Sequence, residues 1–483
     1  MIRTLLGRGS LYTTATAVQL SASVVVLPFL TRLLPPEQMG EVALAVVVMW
    51  LLGILAGAGL PTSLSRVWFK GDEGPERSRF LLRRCLLIAV LTAAVADVTG
   101  PAWSQVFSEV GYDLTLRLAV WAAVPLAVLT CSQTLLRAAD RAGRFVVTAV
   151  VASAPAQVLG LALIAATTLE SSGYILGLLI GQTAAACLGA LWVGIASPAR
   201  IDSEGVTRSA LRVGLPTIPH SFAIYVLAFG DRAVVKGLLG AGAVGRYQVA
   251  YAIGTLVLSL LYAFGGAWRP IIFGEREDRR WVTLAETRAV LYGLSGTVAA
   301  ALAIGAPLAL VIAAPDTYDP YGLVGVTAIV ALSAVPMVSY QASVQVLIWE
   351  GHTGIMAWST PLVAAANIGL VFALIPPLGL EGAAAATACA YALLALVTYL
   401  AARRFAHVPG GLRPLIVATV WAGAGTAASL MMPSDGTWLT IRTVAALGLG
   451  VIVVRQIVSH WRAGDMRGSP PEGTEPALYG SSG

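Results

Sequence analysis

The chain has 483 residues, of which 57% are hydrophobic and 12% charged, with a formal net charge of +6. An ordinary soluble domain is roughly 25% charged, so this composition excludes a water-borne globular core and points to lipid as the sink for the apolar surface. The positive charge does not mark a nucleic-acid partner, because the basic residues stand in short loops between apolar runs and no solvated domain carries a binding face.

In chain order, apolar runs of the roughly 20 residues that a spanning helix needs place fourteen spans near 9–33, 41–63, 81–104, 114–137, 145–168, 174–196, 212–236, 245–268, 289–313, 322–349, 355–376, 382–402, 412–431 and 438–459. These runs are too long and continuous for barrel strands, and only helices or closed barrels satisfy their backbone in lipid. The predicted class is an all-α polytopic membrane protein. Arg3 and Arg8 before the first run mimic a signal peptide, but a polar-interrupted start without a clear cleavage site reads as an uncleaved first helix. The tail from Trp461, rich in Gly, Pro and Ser, is expected to be disordered. Cys85, Cys131, Cys187 and Cys389 have no close spacing and read as small packing residues rather than disulfides or metal ligands.

Orientation follows from Lys and Arg. With the N-terminus inside, 25 of these residues fall at cytoplasmic ends and loops and 6 on the outer side, a strong positive-inside asymmetry. Both termini are therefore expected in the cytoplasm.

An internal repeat is visible at an offset of 205 residues. The segment from Arg32, RLLPPEQMGEVALA, aligns with GLLGAGAVGRYQVA from Gly237, so that Gly40 matches Gly245 and Ala45 matches Ala250; Gly177 likewise falls on Gly382. Six spans per unit make parallel repeats about an axis along the membrane normal. The expected division is an N-terminal lobe at 1–200, a C-terminal lobe at 201–405, an added helix pair at 406–460 and a tail at 461–483. The glycines of GAGAVG have the spacing of a dinucleotide loop, but long apolar helices replace the strand that such a loop requires. They read as a tight turn between spans 7 and 8.

Charged and amide residues inside the spans are the functional candidates, because such groups are costly in lipid. Asp231 is expected about 7 Å below the outer end of span 7, at 1.5 Å per residue, with Arg232 facing elsewhere on the helix and Lys236 one turn beyond Arg232. Arg32 sits at nearly the matching point of the first repeat. Two readings stand: Arg32 and Lys236 snorkel to the headgroups, or these cations line an anion-binding cavity between the halves. Gln133, Gln157, Gln182, Gln248, Gln341, Gln345 and Asn367 either bond between helices or line the same wet cavity; Gln341 and Gln345 share a helix face. Arg66 and Arg269 lie near cytoplasmic ends, as topogenic charge or as an inner gate. His220 is read first as a packed, hydrogen-bonded residue. No metal-ligand spacing, nucleophile elbow or ATPase module is present, so neither an enzyme nor a resident cofactor is expected.

The segments LPFLTRLLPPEQMGEVALA (27–45), GLPTSLSR (59–66), DRAVVKGLLGAGAVGRYQVAY (231–251) and LGLEGAAAATACAY (378–391) together resemble the polysaccharide-biosynthesis flippases of the multidrug/oligosaccharidyl-lipid/polysaccharide exporter superfamily, relatives of the MATE transporters. The resemblance covers roughly residues 5–460. It implies two six-helix lobes around a V-shaped cavity in the inner or plasma membrane. It implies alternating access that moves an undecaprenyl-diphosphate-linked oligosaccharide to the outer leaflet, with a glycan polymerase and glycosyltransferases as neighbours. Cavity arginines carry over onto Arg32, Arg66 and Arg232. A coupling ion, H⁺ or Na⁺, is implied, with Asp231 and His220 as its carriers. Two other readings are a drug or small-cation antiporter of the same superfamily, which would need acidic and aromatic cavity residues, and a non-transporting scaffold of a glycan-assembly complex.

Overall fold

The computed structural model describes residues 22–108, 111–196, 205–434 and 436–467, and no strand occurs among them. The start of the first predicted span and the question of a leader fall on residues 1–21, outside the described residues. Helix α1 covers Ala22–Leu33 and α2 covers Pro36–Gly57, with Pro36 in the first turn, where its missing N–H leaves no bond unmade. Left-handed Ala58 and Gly59 break the path before α3 (Leu60–Trp68). Helix α4 (Gly74–Val98) bends by 64° into α5 (Gly100–Trp103) and the short turn that follows. Helix α6 (Leu114–Ala138) opens on Asp113, whose carboxylate caps the Leu116 N–H at 3.0 Å. Helices α7 (Ala142–Val151), α8 (Ala154–Ala166) and α9 (Glu170–Val193) complete the first half.

The second half begins with a thrice-broken path through α10 (Val206–Gly214), α11 (Ile218–Phe229) and α12 (Asp231–Leu239). It continues with α13 (Ala241–Gly254), α14 (Leu256–Phe273), α15 (Glu277–Ala313), α16 (Val324–Leu332) and α17 (Ala334–Trp349). Helix α18 (Gly354–Ala402) turns sharply at Gly379. Helices α19 (Arg413–Met431) and α20 (Gly436–Arg467) follow, and α20 runs past Trp461, where a disordered tail was expected to begin.

Nine helical stretches among the described residues are long and apolar enough to cross a membrane, ten when α4 and α5 count as one bent span. Fourteen were expected. One of the missing four starts outside the described residues, spans 212–236 and 245–268 are split into short helices, and spans 355–376 and 382–402 run on as α18.

Packing explains the overall shape. One buried cluster joins both halves, with Leu34, Val42 and Leu44 of the first against Val235, Tyr247 and Tyr318 of the second. Of the two others, one lies wholly in the second half, with Trp268, Leu284, Met337 and Leu394, and one is built on Leu60, Leu64, Leu81 and Leu135 of the first half and takes in Ala210 of α10. The halves thus share a core where α2 meets α13, here called the seam end. Toward the opposite end, called the basic end for the Arg-rich start of α4, their cores are separate except where α10 joins the first-half cluster.

At the seam the repeat becomes a physical symmetry. A Cβ on Gly40 would overlap the Ala241 carbonyl oxygen, and a Cβ on Gly245 would overlap the Pro36 carbonyl oxygen. Thr31 Oγ1 donates to the Ala313 carbonyl at 2.6 Å, and Lys236 Nζ donates to the Ser108 carbonyl at 3.1 Å. In every one of these pairs the two partners swap halves at the same offset of 205, which is the reciprocity of a two-fold interface. The turn expected over GAGAVG is shorter than read: Gly240 alone (φ 86°, ψ 172°) separates α12 from α13, and Gly242 and Gly245 lie within α13. Gly245 serves close approach, not the turn.

Further ties cross the seam. Arg32 Nη1 donates to the Ile312 carbonyl at 3.2 Å, and Tyr318 Oη donates to the Leu34 carbonyl at 2.7 Å. Burial, with Glu37 nearby, holds the Tyr318 phenol above its ordinary range, so it remains a donor. At the basic end, α10 docks on α3: Gly59 and Gly214 meet backbone to backbone, and Ser63 Oγ donates to the Ala210 carbonyl at 2.6 Å.

Candidate functional site

The site grows from the junction of α11 and α12. The Gly230 N–H bonds to Val226 O at 2.7 Å and the Ala233 N–H to Gly230 O at 3.2 Å, a tightened step at the break. Regular helix geometry turns neighbouring side chains apart, and Arg232 was expected to face away from Asp231. The step instead pairs them: Arg232 Nη1 donates to Asp231 Oδ1 at 3.0 Å, with both side chains 1% exposed or less. Removing either partner alone would leave a buried charge without its counterpart, which costs about 3–5 kcal/mol.

A shell of donors fixes the pair. Tyr247 Oη donates to Asp231 Oδ2 at 2.6 Å, and Thr387 Oγ1 does so at 3.4 Å. Arg232 Nε donates to Gln248 Oε1 at 2.8 Å, and Nη1 also reaches the Ala228 carbonyl at 3.1 Å. The guanidinium carbon lies 4.9 Å from the Phe229 ring centroid and 4.5 Å from that of Tyr251, within the range of cation–π attraction. Arg232 Nη2 makes no hydrogen bond. One strong donor is therefore held without a partner beside a cavity.

That cavity is about 620 Å³. Its amide and hydroxyl lining comes from Ser23, Gln133, Ser153, Gln157, Gln182 and Gln248, its apolar wall from α1 and α2, and its charge from Arg232; no acidic residue stands among the described lining residues. Gln157 Nε2 donates to Ser23 Oγ at 3.2 Å and Gln133 Nε2 to Thr148 Oγ1 at 3.4 Å. Gln182 is buried with an unpartnered Oε1. A second space of about 220 Å³ shares Trp50, Leu126 and Thr130 with the first and extends past Gly59 and Tyr225.

Of the residues singled out in the sequence, Arg232, Gln133, Gln157, Gln182 and Gln248 meet around this space. The others lie elsewhere. Arg32 is exposed on the Pro28 and Ile312 carbonyls, and Lys236 is half-buried on the Gln105 and Ser108 carbonyls. Arg66 and Arg269 are exposed. Gln341 and Gln345 are buried in α17, and Asn367 Nδ2 donates to the Leu227 carbonyl at 3.3 Å, all within the second half. His220 Nδ1 lies 3.1 Å from the Met356 carbonyl. Trp50, Tyr225, Phe229, Tyr247, Tyr251 and Thr387 were not singled out. Tyr225, Phe229 and Arg232 at i, i+4 and i+7 share a helix face, which is a signal the sequence did contain. Among the described residues no group of three or more His, Cys, Asp or Glu gathers as a metal site would require. The thiols of Cys85 and Cys131, far apart in sequence, lie 3.4 Å apart in the first-half core, both free.

Two halves joined by a reciprocal seam, with a polar cavity between them, define the architecture of this multi-pass helical membrane protein. Solved structures share that architecture. An inward closed structure of the lipid II flippase MurJ aligns with a TM-score of 0.67 at 12% identity, covering 93% of this chain and 99% of that one. An inward-facing multidrug resistance MATE family transporter of the MOP superfamily aligns with a TM-score of 0.61 at 18% identity, covering 82% and 94%. No curated protein matches the chain in sequence. The family described as polysaccharide biosynthesis protein matches residues 6–274, more than half of the chain, and the chain belongs to it.

Proposed function

We propose that this protein flips a lipid-linked oligosaccharide, an undecaprenyl-diphosphate-linked one by the family resemblance, from the cytoplasmic to the outer leaflet by alternating access. The observation that carries the reading is Arg232: a buried guanidinium with an unpartnered Nη2 at the wall of a roomy cavity that lacks acidic lining. A diphosphate headgroup loses its water in hydrocarbon, and a guanidinium replaces it with charge-assisted, bidentate bonds. With only 1% of Arg232 exposed, the anion reaches it after the side chain swings or the seam loosens. Substrate binding then competes with the Asp231 pairing and couples to the lobe motion. A cationic drug would meet the wrong sign of charge here, which disfavours the antiporter reading.

In this scheme residues 1–200 and 201–405 act as the two rocking lobes, and 406–460 rides on the second. The basic end faces the cytoplasm with both termini, in the inner or plasma membrane. Protonation or Na⁺ binding at Asp231, held by Arg232, Tyr247 and Thr387, is the coupling event we favour over His220. Glycosyltransferases supply the substrate and a glycan polymerase consumes the product. The test is glycan display by a deletion strain carrying Arg232→Gln, with protein level measured in the membrane. Loss of display at normal level supports the reading. Full display, or restored drug susceptibility as the only phenotype of the deletion, overturns it.

A further inference from the structure

The cavity wall carries a second feature that the charge pair does not explain. Trp50 of α2 stacks on Tyr225 of α11 with ring centroids 5.3 Å apart and planes 19° apart. Tyr225 stacks in turn on Phe229 at 5.8 Å and 27°. Arg232 then caps the Phe229 face at 4.9 Å. The three second-half members follow one another across the α11–α12 junction, and Trp50 is supplied by the other half. Trp50 and Tyr225 are half-buried, unlike Trp268, which is wholly inside a core. Trp50 lines both spaces, Tyr225 the smaller and Phe229 the larger. The rings thus form a continuous apolar strip that starts nearer the basic end and finishes at the unpartnered guanidinium.

We infer that this strip is a stacking platform for a pyranose ring of the headgroup, with the diphosphate against Arg232, the saccharide running past the edges of Phe229 and Tyr225, and a sugar ring stacked on the face of Trp50 that Tyr225 leaves uncovered. The inference rests on the flippase reading above and adds to it where the sugar lies. A pyranose offers one face of C–H bonds with slight positive character, which suits the negative face of an aromatic ring. Its hydroxyls need partners, and the cavity lining offers them in the unpartnered Gln182 Oε1 and the side-chain amides of Gln133 and Gln157. Stacking is tolerant of ring identity, so the strip admits varied sugars while Arg232 demands the phosphate.

The test uses the full chain in detergent and two soluble probes, farnesyl diphosphate and farnesyl-diphospho-N-acetylglucosamine, with affinities read by titration calorimetry. Wild type binds the glycosylated probe more tightly than the bare one. Trp50→Ala and Tyr225→Ala each weaken the glycosylated probe about five-fold and leave the bare diphosphate within two-fold, about the resolution of the comparison. Trp50→Phe, which keeps a ring, retains most of the preference and separates loss of the platform from misfolding. Arg232→Gln weakens both probes together. Equal loss of both probes in Trp50→Ala and Tyr225→Ala, or no loss of either, overturns the platform while leaving the Arg232 assignment standing. Binding of neither probe to the wild-type protein sinks the flippase reading and the platform with it.

Discussion

The two halves place different chemistry at equivalent positions. At the offset of 205 established by the seam contacts, Asp231, Arg232, Tyr247, Gln248, Tyr251 and Thr387 stand where the first half has Val26, Leu27, Val42, Ala43, Val46 and Gln182. All six first-half residues line the large cavity. The backbone geometry that lets the halves meet is duplicated, as the glycines at 40 and 245 show, whereas the charge is confined to one side. The contrast separates what the fold needs from what the cargo needs. On the proposed flippase reading, both lobes need a surface able to close on the other, and only one needs to grip an anion. The opposite wall is left apolar and amide-lined, which suits the uncharged body of the proposed ligand as Arg232 suits its charged end.

The strongest way to break this contrast is to make the halves alike. The double substitution Asp231→Val, Arg232→Leu copies the first half into the second. Replacing a buried ion pair by apolar residues is neutral or stabilising by about 1–4 kcal/mol, so the variant is expected in the membrane at normal level. Two charge-assisted bonds to the diphosphate, at about 1.5–3 kcal/mol each, correspond to a loss of roughly 100-fold or more in binding. Glycan display should vanish. Display at the wild-type level would show that the asymmetry is incidental. The single change Arg232→Leu is predicted to be worse in a second way, because it also lowers the amount of folded protein by stranding Asp231.

The seam, being symmetric, should respond symmetrically. Gly40→Val and Gly245→Val each drive a side chain into the partner's backbone carbonyl, and overpacking of that kind costs about 1–3 kcal/mol. Because the strain is relieved when the halves part, each is expected to shift the population toward the parted state by about ten-fold. Cysteines placed at positions 31 and 313 would report it as slower cross-linking, by a similar factor in both variants. A large effect at one glycine and none at the other would mean that the reciprocal contact does not hold the halves together.

Outside this pair of lobes, Arg442 is wholly buried and holds α20 to its neighbours. It donates to the Ile304 carbonyl at 3.0 Å, the Met432 carbonyl at 2.9 Å and Ser429 Oγ at 2.6 Å, with weaker bonds to the carbonyls of Ser429, Pro433 and Ala303. It is one of the six cations counted to the outer side, and it clamps the loop between α19 and α20. Arg442→Leu strands several carbonyls and is expected to lower stability by about 2–4 kcal/mol, read as an earlier thermal transition. Transport per folded molecule should be unchanged, because the residue lies away from the cavity. Lost transport at normal stability would give the added helix pair a role in the cycle.

What was legible in the sequence follows the same division. The repeat could be read because close approach of two backbones admits only glycine at 40 and 245, and a steric demand leaves a residue-level mark. The positions of Gln133, Gln157, Gln248 and Arg232 in apolar spans marked them as costly, and they do surround the cavity. The pairing of Asp231 with Arg232 could not be read, since it depends on the tightened step at Gly230, and helical periodicity alone separates the two. Arg32 and Arg66 look like Arg232 as letters; only their place at exposed helix ends sets them apart. Trp50 joins the aromatic strip from the other half, through a contact 175 positions away, where no local spacing could reveal it. The break-up of spans 7 and 8 was hidden for the same reason, because glycines in a membrane helix are common and only some of them interrupt it.

The smallest expected effect sharpens the comparison most finely. Thr31 and Lys236 occupy equivalent positions and make equivalent bonds, to the Ala313 and Ser108 carbonyls, with different chemistry. The threonine hydroxyl is buried and its bond is neutral, so Thr31→Val trades one net hydrogen bond of about 1 kcal/mol for an isosteric apolar group. The ammonium of Lys236 is half-exposed, and its attraction to two carbonyl dipoles is partly screened by salt. At low ionic strength Lys236→Ala should loosen the seam about as much as Thr31→Val, read through the same 108-to-236 region by cross-linking or exchange. As salt rises, the Lys236→Ala deficit should shrink while that of Thr31→Val stays level. If both deficits respond to salt alike, the two ties are not the separate neutral and ionic bonds seen here.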